Sequence, residues 1–238
     1  MSIAKPDPAL VEKLVVANRI LYDHEVVDGL GHISVRHDSV PHAFLLSCNR
    51  APGLVKTADI TAYDYDGNTL SDTSERPYLE RYIHGEIYRA RPDVVAVVHS
   101  HSPSVIPFGA TGNRLRPIFH MGGFLGSGSA HFEIRDTAGD TDMLIRSSEL
   151  GRALATSLGN CTCVLMRGHG STVVGKSIEQ AVFRAIYTEV NAKLQLAAHG
   201  LGPVTYLTEK EAQLSSDMND GQIARSWELW RRRIGPIE

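Results

Sequence analysis

Cysteine is scarce in this chain: Cys48, Cys161 and Cys163 are the only three in 238 residues. A small, odd number rules out a disulfide scaffold, and no further Cys or His stands at zinc-finger spacing from the Cys161/Cys163 pair. A reduced, cytoplasmic protein is the expectation. Charge of one sign is lacking too: 24 Lys and Arg face 27 Asp and Glu, and the one basic run, Arg231 to Arg233, is only three residues long. No basic face for nucleic acid follows from that. Long apolar runs are missing, and the first turns of the chain interleave acids and bases, so neither an export signal nor a membrane anchor is expected. Glycine-rich M-G-G-F-L-G-S-G (121–128) has no phosphate-loop Lys-Ser/Thr after it, and D-T-A-G-D-T-D (136–142) lacks EF-hand spacing.

What is present is a globular composition, 42% hydrophobic and 21% charged, over a length that suits one α/β domain spanning 1–238. Apolar residues recur at helical spacing from Pro8 to about Glu25, from Pro77 to Arg89, from Ser147 to Leu158 and from Ser177 to His199. Short strands are expected at Ile33–Val35, Ala43–Ser47, Asp59–Tyr65, Thr69–Leu70, Val94–Val98 and Cys161–Met166. A short helix is expected over 103–109 and a loop over the Gly-rich stretch 120–128. Strands and helices alternate without a strict repeat, which predicts a three-layer αβα sandwich around a largely antiparallel sheet.

The chemistry concentrates in three places. In V-V-A-V-V-H-S-H, His99 and His101 stand two apart at a strand end, so both side chains share a face and converge on one ion. In R-G-H-G-S, a buried strand delivers His169 between two glycines, where the backbone bends sharply or approaches something closely. Glu80, on the helix feeding the H-x-H strand, offers a carboxylate as fourth ligand or as base. Three imidazoles and a carboxylate leave coordination positions open, the mark of a catalytic rather than a structural metal site. His32, just after Gly31, has an unperturbed pKa suited to proton transfer.

These features, in this order, resemble the class II aldolase and adducin family. The resemblance runs from about Ala17 to Ala198 and is carried by G-L-G-H-I-S-V-R (29–36), R-P-D-V with A-V-V-H-S-H, and R-G-H-G before the long helix. It implies the class II aldolase fold, and a zinc, manganese, iron or cobalt ion held by Glu80, His99, His101 and His169. The interval from Glu80 to His99 matches the family's spacing, which ranks Glu80 above Glu75 and Glu86. It also implies a homotetramer with sites near subunit boundaries, where Tyr206 or Trp230 of a neighbour would reach the pocket.

Two departures from the sugar-phosphate aldolases bear on substrate. Gly31-His32 stands where those enzymes have Gly-Asn, and Tyr78-Leu79 where they have Ser-Ser, so the phosphate cradle is dismantled in favour of a flat ring. The stretches L-L-S-C-N-R-A-P-G-L-V and E-R-P-Y-L-E-R-Y-I-H-G-E-I-Y resemble the branch that decarboxylates dihydroxyphthalate and hydroxy-methylpyridine dicarboxylates. The expected activity is therefore a metal-dependent carboxy-lyase acting on a hydroxylated aromatic or heteroaromatic acid. Its substrate contacts would come from Gly31, His32, Ser34, Arg50, Tyr78 and Arg81, with Arg36 and Arg76 as further partners for a second carboxylate. Two other readings stay open: a retro-aldolase or epimerase on a sugar phosphate, and a non-catalytic adducin-like assembly module.

Overall fold

The computed structural model describes residues 3–71 and 73–237. Helix α1 (Pro8–Asp23) starts where its helical periodicity does: Pro8 occupies the first turn and the Asp7 carboxylate accepts the Ala9 N–H. Strands β1 (His32–Arg36), β2 (Ala43–Ser47) and β3 (Ile60–Asp64) then pair as an antiparallel meander. The strand expected at Thr69–Leu70 amounts to one isolated bridge between Thr69 and Tyr63, because the chain leaves after two residues.

The remaining elements are α2 (Arg81–Ala90), β4 (Ala96–Ser100), α3 (Ile106–Ala110), β5 (Ala130–Phe132), α4 (Arg135–Ala138) and α5 (Ser148–Leu158). After them come β6 (Cys163–Met166), β7 (Gly170–Gly175), α6 (Ile178–His199), α7 (Glu209–Asp220) and α8 (Ile223–Ile234). Residues 120–125 are not open loop but 3-10 turns. Their glycines are packing requirements, since a Cβ on Gly122 would meet the Asn191 side chain at 2.5 Å and one on Gly123 the Ala212 carbonyl at 2.6 Å.

Helix α2 begins four residues later than its periodicity suggests. The Arg76 carbonyl accepts the Asn49 N–H and the Tyr78 hydroxyl donates to the Arg50 carbonyl, which pins 76–78 against the end of β2 before the helix can start. Glu80 therefore sits at the helix threshold rather than within it.

The seven strands form one sheet in the order β3-β2-β1-β4-β7-β6-β5, antiparallel throughout except for the β5–β6 pair. Alternating side chains feed two cores. On one face, Ile33, Val35, Val98 and Val173 pack with Leu14, Leu21, Phe183, Ile186 and Ile223 of α1, α6 and α8. On the other, Phe44, Leu46, Val97 and Val164 pack with Ile83, Ile87, Leu154 and Leu158 of α2 and α5. The expected three-layer sandwich is borne out. No helix among the described residues is long and apolar enough to cross a membrane.

The C-terminal helices belong to this body. Trp230 is buried against Phe183 and edge-on to His24, so it serves the chain's own core rather than a neighbour's pocket. The Tyr206 hydroxyl pairs with Gln195 and its ring lies under the Arg116 guanidinium.

Candidate metal centre and active site

Register places the site. His32 pairs with His99 across β1 and β4, and His99 pairs with Thr172 across β4 and β7, so His32, His99 and Thr172 share the face covered by α2 and α5. His101 follows two residues beyond His99 on the same side. The third histidine arrives through the β6–β7 hairpin, whose turn over 167–169 contains Gly168 at φ +67°, a left-handed conformation that glycine adopts without strain. The next glycine, Gly170, lies against the Ser100 carbonyl, which leaves no room for a Cβ there. That close approach stacks the His169 ring on His101, with centroids 5.0 Å apart.

Four donor atoms converge. His101 Nε2 lies 3.2 Å from His99 Nε2 and 3.0 Å from His169 Nε2, while Glu80 Oε2 is 3.5 Å from both His99 Nε2 and His169 Nε2. All four atoms fall within 4.8 Å of one another. A four-coordinate ion with bonds of about 2.0–2.1 Å spaces its ligands about 3.3 Å apart, so the donor set has the right size.

Its protonation suits a cation as well. The His169 Nδ1 hydrogen goes to the Met143 carbonyl at 3.0 Å, which leaves a lone pair on Nε2. Burial holds the His99 imidazole well below its ordinary pKa, with the neighbouring His169 adding to the effect. His101 is lowered by burial and by His169, against an opposing pull from Glu80. With their hydrogens on Nδ1, the three imidazoles would aim Nε2 lone pairs at one another across 3.0–3.2 Å, an arrangement that a cation between them satisfies. Glu80 is held in the same way: Oε1 accepts the Ile145 N–H at 2.9 Å, which turns Oε2 toward the imidazoles.

The residues expected to contact substrate separate into groups. His32 lies beside the cluster, its ring 5.1 Å from His99 and 4.7 Å from Tyr78, which is buried with it. Its imidazole is pushed well below its ordinary pKa by burial and then by the neighbouring histidines, so the imidazolium needed for direct proton donation is disfavoured. Gly31, at φ +94°, is wedged between the Val27 side chain and the His99 carbonyl, a packing role that brings β1 close to β4.

Ser34 is fully buried, with its hydroxyl engaged by His84 and Tyr88. Arg81 turns away to the Gly67 and Tyr78 carbonyls. Arg36, at the opposite end of β1 from His32, is taken up by the Val94, Tyr88 and Arg91 carbonyls. In this arrangement those partners already engage Ser34, Arg36 and Arg81. Arg50 remains half-exposed beside Tyr78, paired with Asp59 at 2.9 Å, and Arg76 is exposed.

Three participants escaped the sequence reading. Met143 and Ile145 orient His169 and Glu80 through backbone atoms alone, so no residue type signals them. His84 did leave a signal: four residues past Glu80 on a predicted helix, it falls on the same face. Fully buried, it is lowered to about 3 by desolvation alone.

The sign of that shift sets an expectation for acid. The unfolded chain takes up a proton near 6.5 that folded His84 refuses until about 3, so stability is complete above that range and falls as pH drops through it. The slope reaches about 1.4 kcal/mol per pH unit for this one group. His32, His99 and His101 act in the same direction. Urea midpoints of metal-free protein should therefore decline steadily from pH 7 to pH 5; a flat profile would contradict neutral buried imidazoles.

The description Class II Aldolase and Adducin N-terminal domain matches residues 12–196, most of the chain. The chain belongs to this family. It is 38% identical to Decarboxylase tropJ of Talaromyces stipitatus, over 94% of this chain and 93% of that one. It is 34% identical to a 3,4-dihydroxyphthalate decarboxylase of Arthrobacter keyseri, over 80% and 79%. Among solved structures, an L-fuculose 1-phosphate aldolase from Glaciozyma antarctica superposes with a TM-score of 0.79 at 23% identity, covering 95% of this chain and 90% of that one, a likeness of fold. The resemblance to the class II aldolase and adducin family drawn from G-L-G-H, H-S-H and R-G-H-G is thus correct, and its decarboxylase branch is represented among the relatives.

Proposed function

We propose that this protein is a divalent-metal-dependent decarboxylase of a hydroxylated aromatic or heteroaromatic carboxylate. The carrying observation is the pairing of a four-donor Glu80, His99, His101 and His169 cluster with a wall made by the His32 and Tyr78 rings, 4.7 Å apart. Two relatives whose names state decarboxylation, matched over most of their length, support the same reading. A divalent cation held there would act as a Lewis acid on a ring hydroxyl and its neighbouring carboxylate.

The chain's own residues do the rest. Tyr78 cannot offer its hydroxyl, which donates to the Arg50 carbonyl, so it presents ring surface to a flat substrate. His32, neutral, acts as an N–H donor to a substrate oxygen rather than as an acid. Arg50 is the cation assigned to a second carboxylate, since its backbone carbonyl anchors Tyr78 while its half-exposed guanidinium keeps hydrogens beyond its Asp59 pair. Glu80 would hold the cation with Oε2, its other oxygen being fixed by the Ile145 N–H.

Protein reconstituted with zinc or manganese should release carbon dioxide from an ortho-hydroxy aromatic acid. A chelator should abolish the release and added metal restore it. Metal-loaded protein that ignores a panel of such acids but cleaves a sugar phosphate would overturn the reading in favour of an aldolase.

A further inference from the structure

Behind His32, away from the metal centre, runs a line of buried polar groups that the reaction itself does not require. His32 Nδ1 is 2.7 Å from His84 Nε2, His84 Nδ1 is 2.6 Å from Ser34 Oγ, and Ser34 Oγ is 2.7 Å from Tyr88 Oη. His84, Ser34 and Tyr88 are all 1% exposed or less, so bulk solvent does not reach them. Phe44 stacks beside His84 and the Arg36 guanidinium lies 4.8 Å from the centre of the Tyr88 ring, which fixes both rings in place.

The hydrogens along such a line are not free to choose their direction. The buried Tyr88 hydroxyl must donate somewhere. Among the described residues its hydrogen-bond partner is Ser34 Oγ, and the Arg36 guanidinium over its ring can only donate, so Ser34 Oγ is the acceptor. Ser34 then has its own hydrogen for His84 Nδ1, so neutral His84 carries its hydrogen on Nε2 and donates it to His32 Nδ1. An accepting Nδ1 leaves the hydrogen of neutral His32 on Nε2. Among the described residues that atom has no hydrogen-bond partner, and it is not one of the fully enclosed, unpartnered atoms.

We propose that Tyr88, Ser34 and His84 are positioning residues that impose the Nε2–H tautomer on His32, so that it meets substrate as a hydrogen-bond donor and never as an acceptor. The inference deepens the decarboxylase reading and rests on it for the identity of the acceptor, a carboxylate or hydroxyl oxygen of the substrate. A donor fixed by three buried groups discriminates for oxygen acceptors on the ligand and against amino or ammonium groups at the same place.

Long-range proton–nitrogen correlation spectra of ¹⁵N-labelled, zinc-loaded protein test this without any variant. His32 and His84 should each show a hydrogen-bearing Nε2 and a bare Nδ1, whereas a His32 hydrogen on Nδ1 overturns the proposal. In Ser34→Ala, with metal content and near-ultraviolet dichroism unchanged, His32 should become a tautomer mixture. Catalytic efficiency should fall about 10–100-fold, and Ser34→Thr, which restores the hydroxyl, should recover it. An unmoved tautomer in Ser34→Ala also counts against the proposal. If the wild-type spectra agree but no hydroxylated aromatic acid is bound or decarboxylated, the tautomer assignment stands and the substrate reading falls.

Discussion

His169→Ala is expected to strip the protein of its metal and reduce turnover by at least about a thousandfold. The side chain is one of four donors, and its loss leaves the remaining two imidazoles and Glu80 with an open face. It also leaves the Met143 carbonyl without the hydrogen it now accepts, at a residue already held at φ +71°. His101→Ala should behave alike. Glu80→Gln should differ, because three imidazoles still hold an ion: most of the metal stays while turnover drops about 10–100-fold. Elemental analysis beside kinetics separates these patterns, and a His169→Ala protein that keeps both metal and activity would remove the centre from the mechanism.

The second large effect is on the scaffold. Gly170→Ala would drive a Cβ into the Ser100 carbonyl, backbone against backbone, where neither strand yields cheaply. A loss of about 3 kcal/mol is expected, or a fall of about 6–12 °C in Tm for a chain of this size. Since β4 carries His99 and β7 begins directly after His169, parting them should also weaken metal retention. Calorimetry with a metal-affinity titration checks both; an unchanged Tm would mean the hairpin has slack that the packing denies.

Much of the site was legible because local spacing encodes it. His99 and His101 share a face by strand alternation alone, and the glycines around His169 announce a tight turn. Glu80 was legible only through its family spacing, since one Glu on a helix resembles any other. What already engages Ser34, Arg36 and Arg81 was not legible, because residue type shows capacity to bind, not what the fold has brought against that group: their partners include groups 3 to 58 positions away. Strand β7 was hidden for a related reason. Its Ser-Thr-Val-Val core lies between two glycines directly after a turn, and only pairing with β4 and β6 makes it a strand. Helix α7 went unread although Thr208 and Glu211 form a capping box that marks where it starts.

The register that sets His99 opposite Thr172 has a kinetic consequence. The four candidate donor atoms come from a helix threshold, a central strand and a hairpin turn, over residues 80 to 169, and none of them forms a chelate within its own segment beyond the H-x-H pair. A nascent chain therefore offers a cation no four-donor site until β4 has found β7 and Glu80 has been brought against both, contacts of long sequence separation that form slowly. Capture of a cation there would consequently be a late event, the ion latching a sheet already in register rather than templating it.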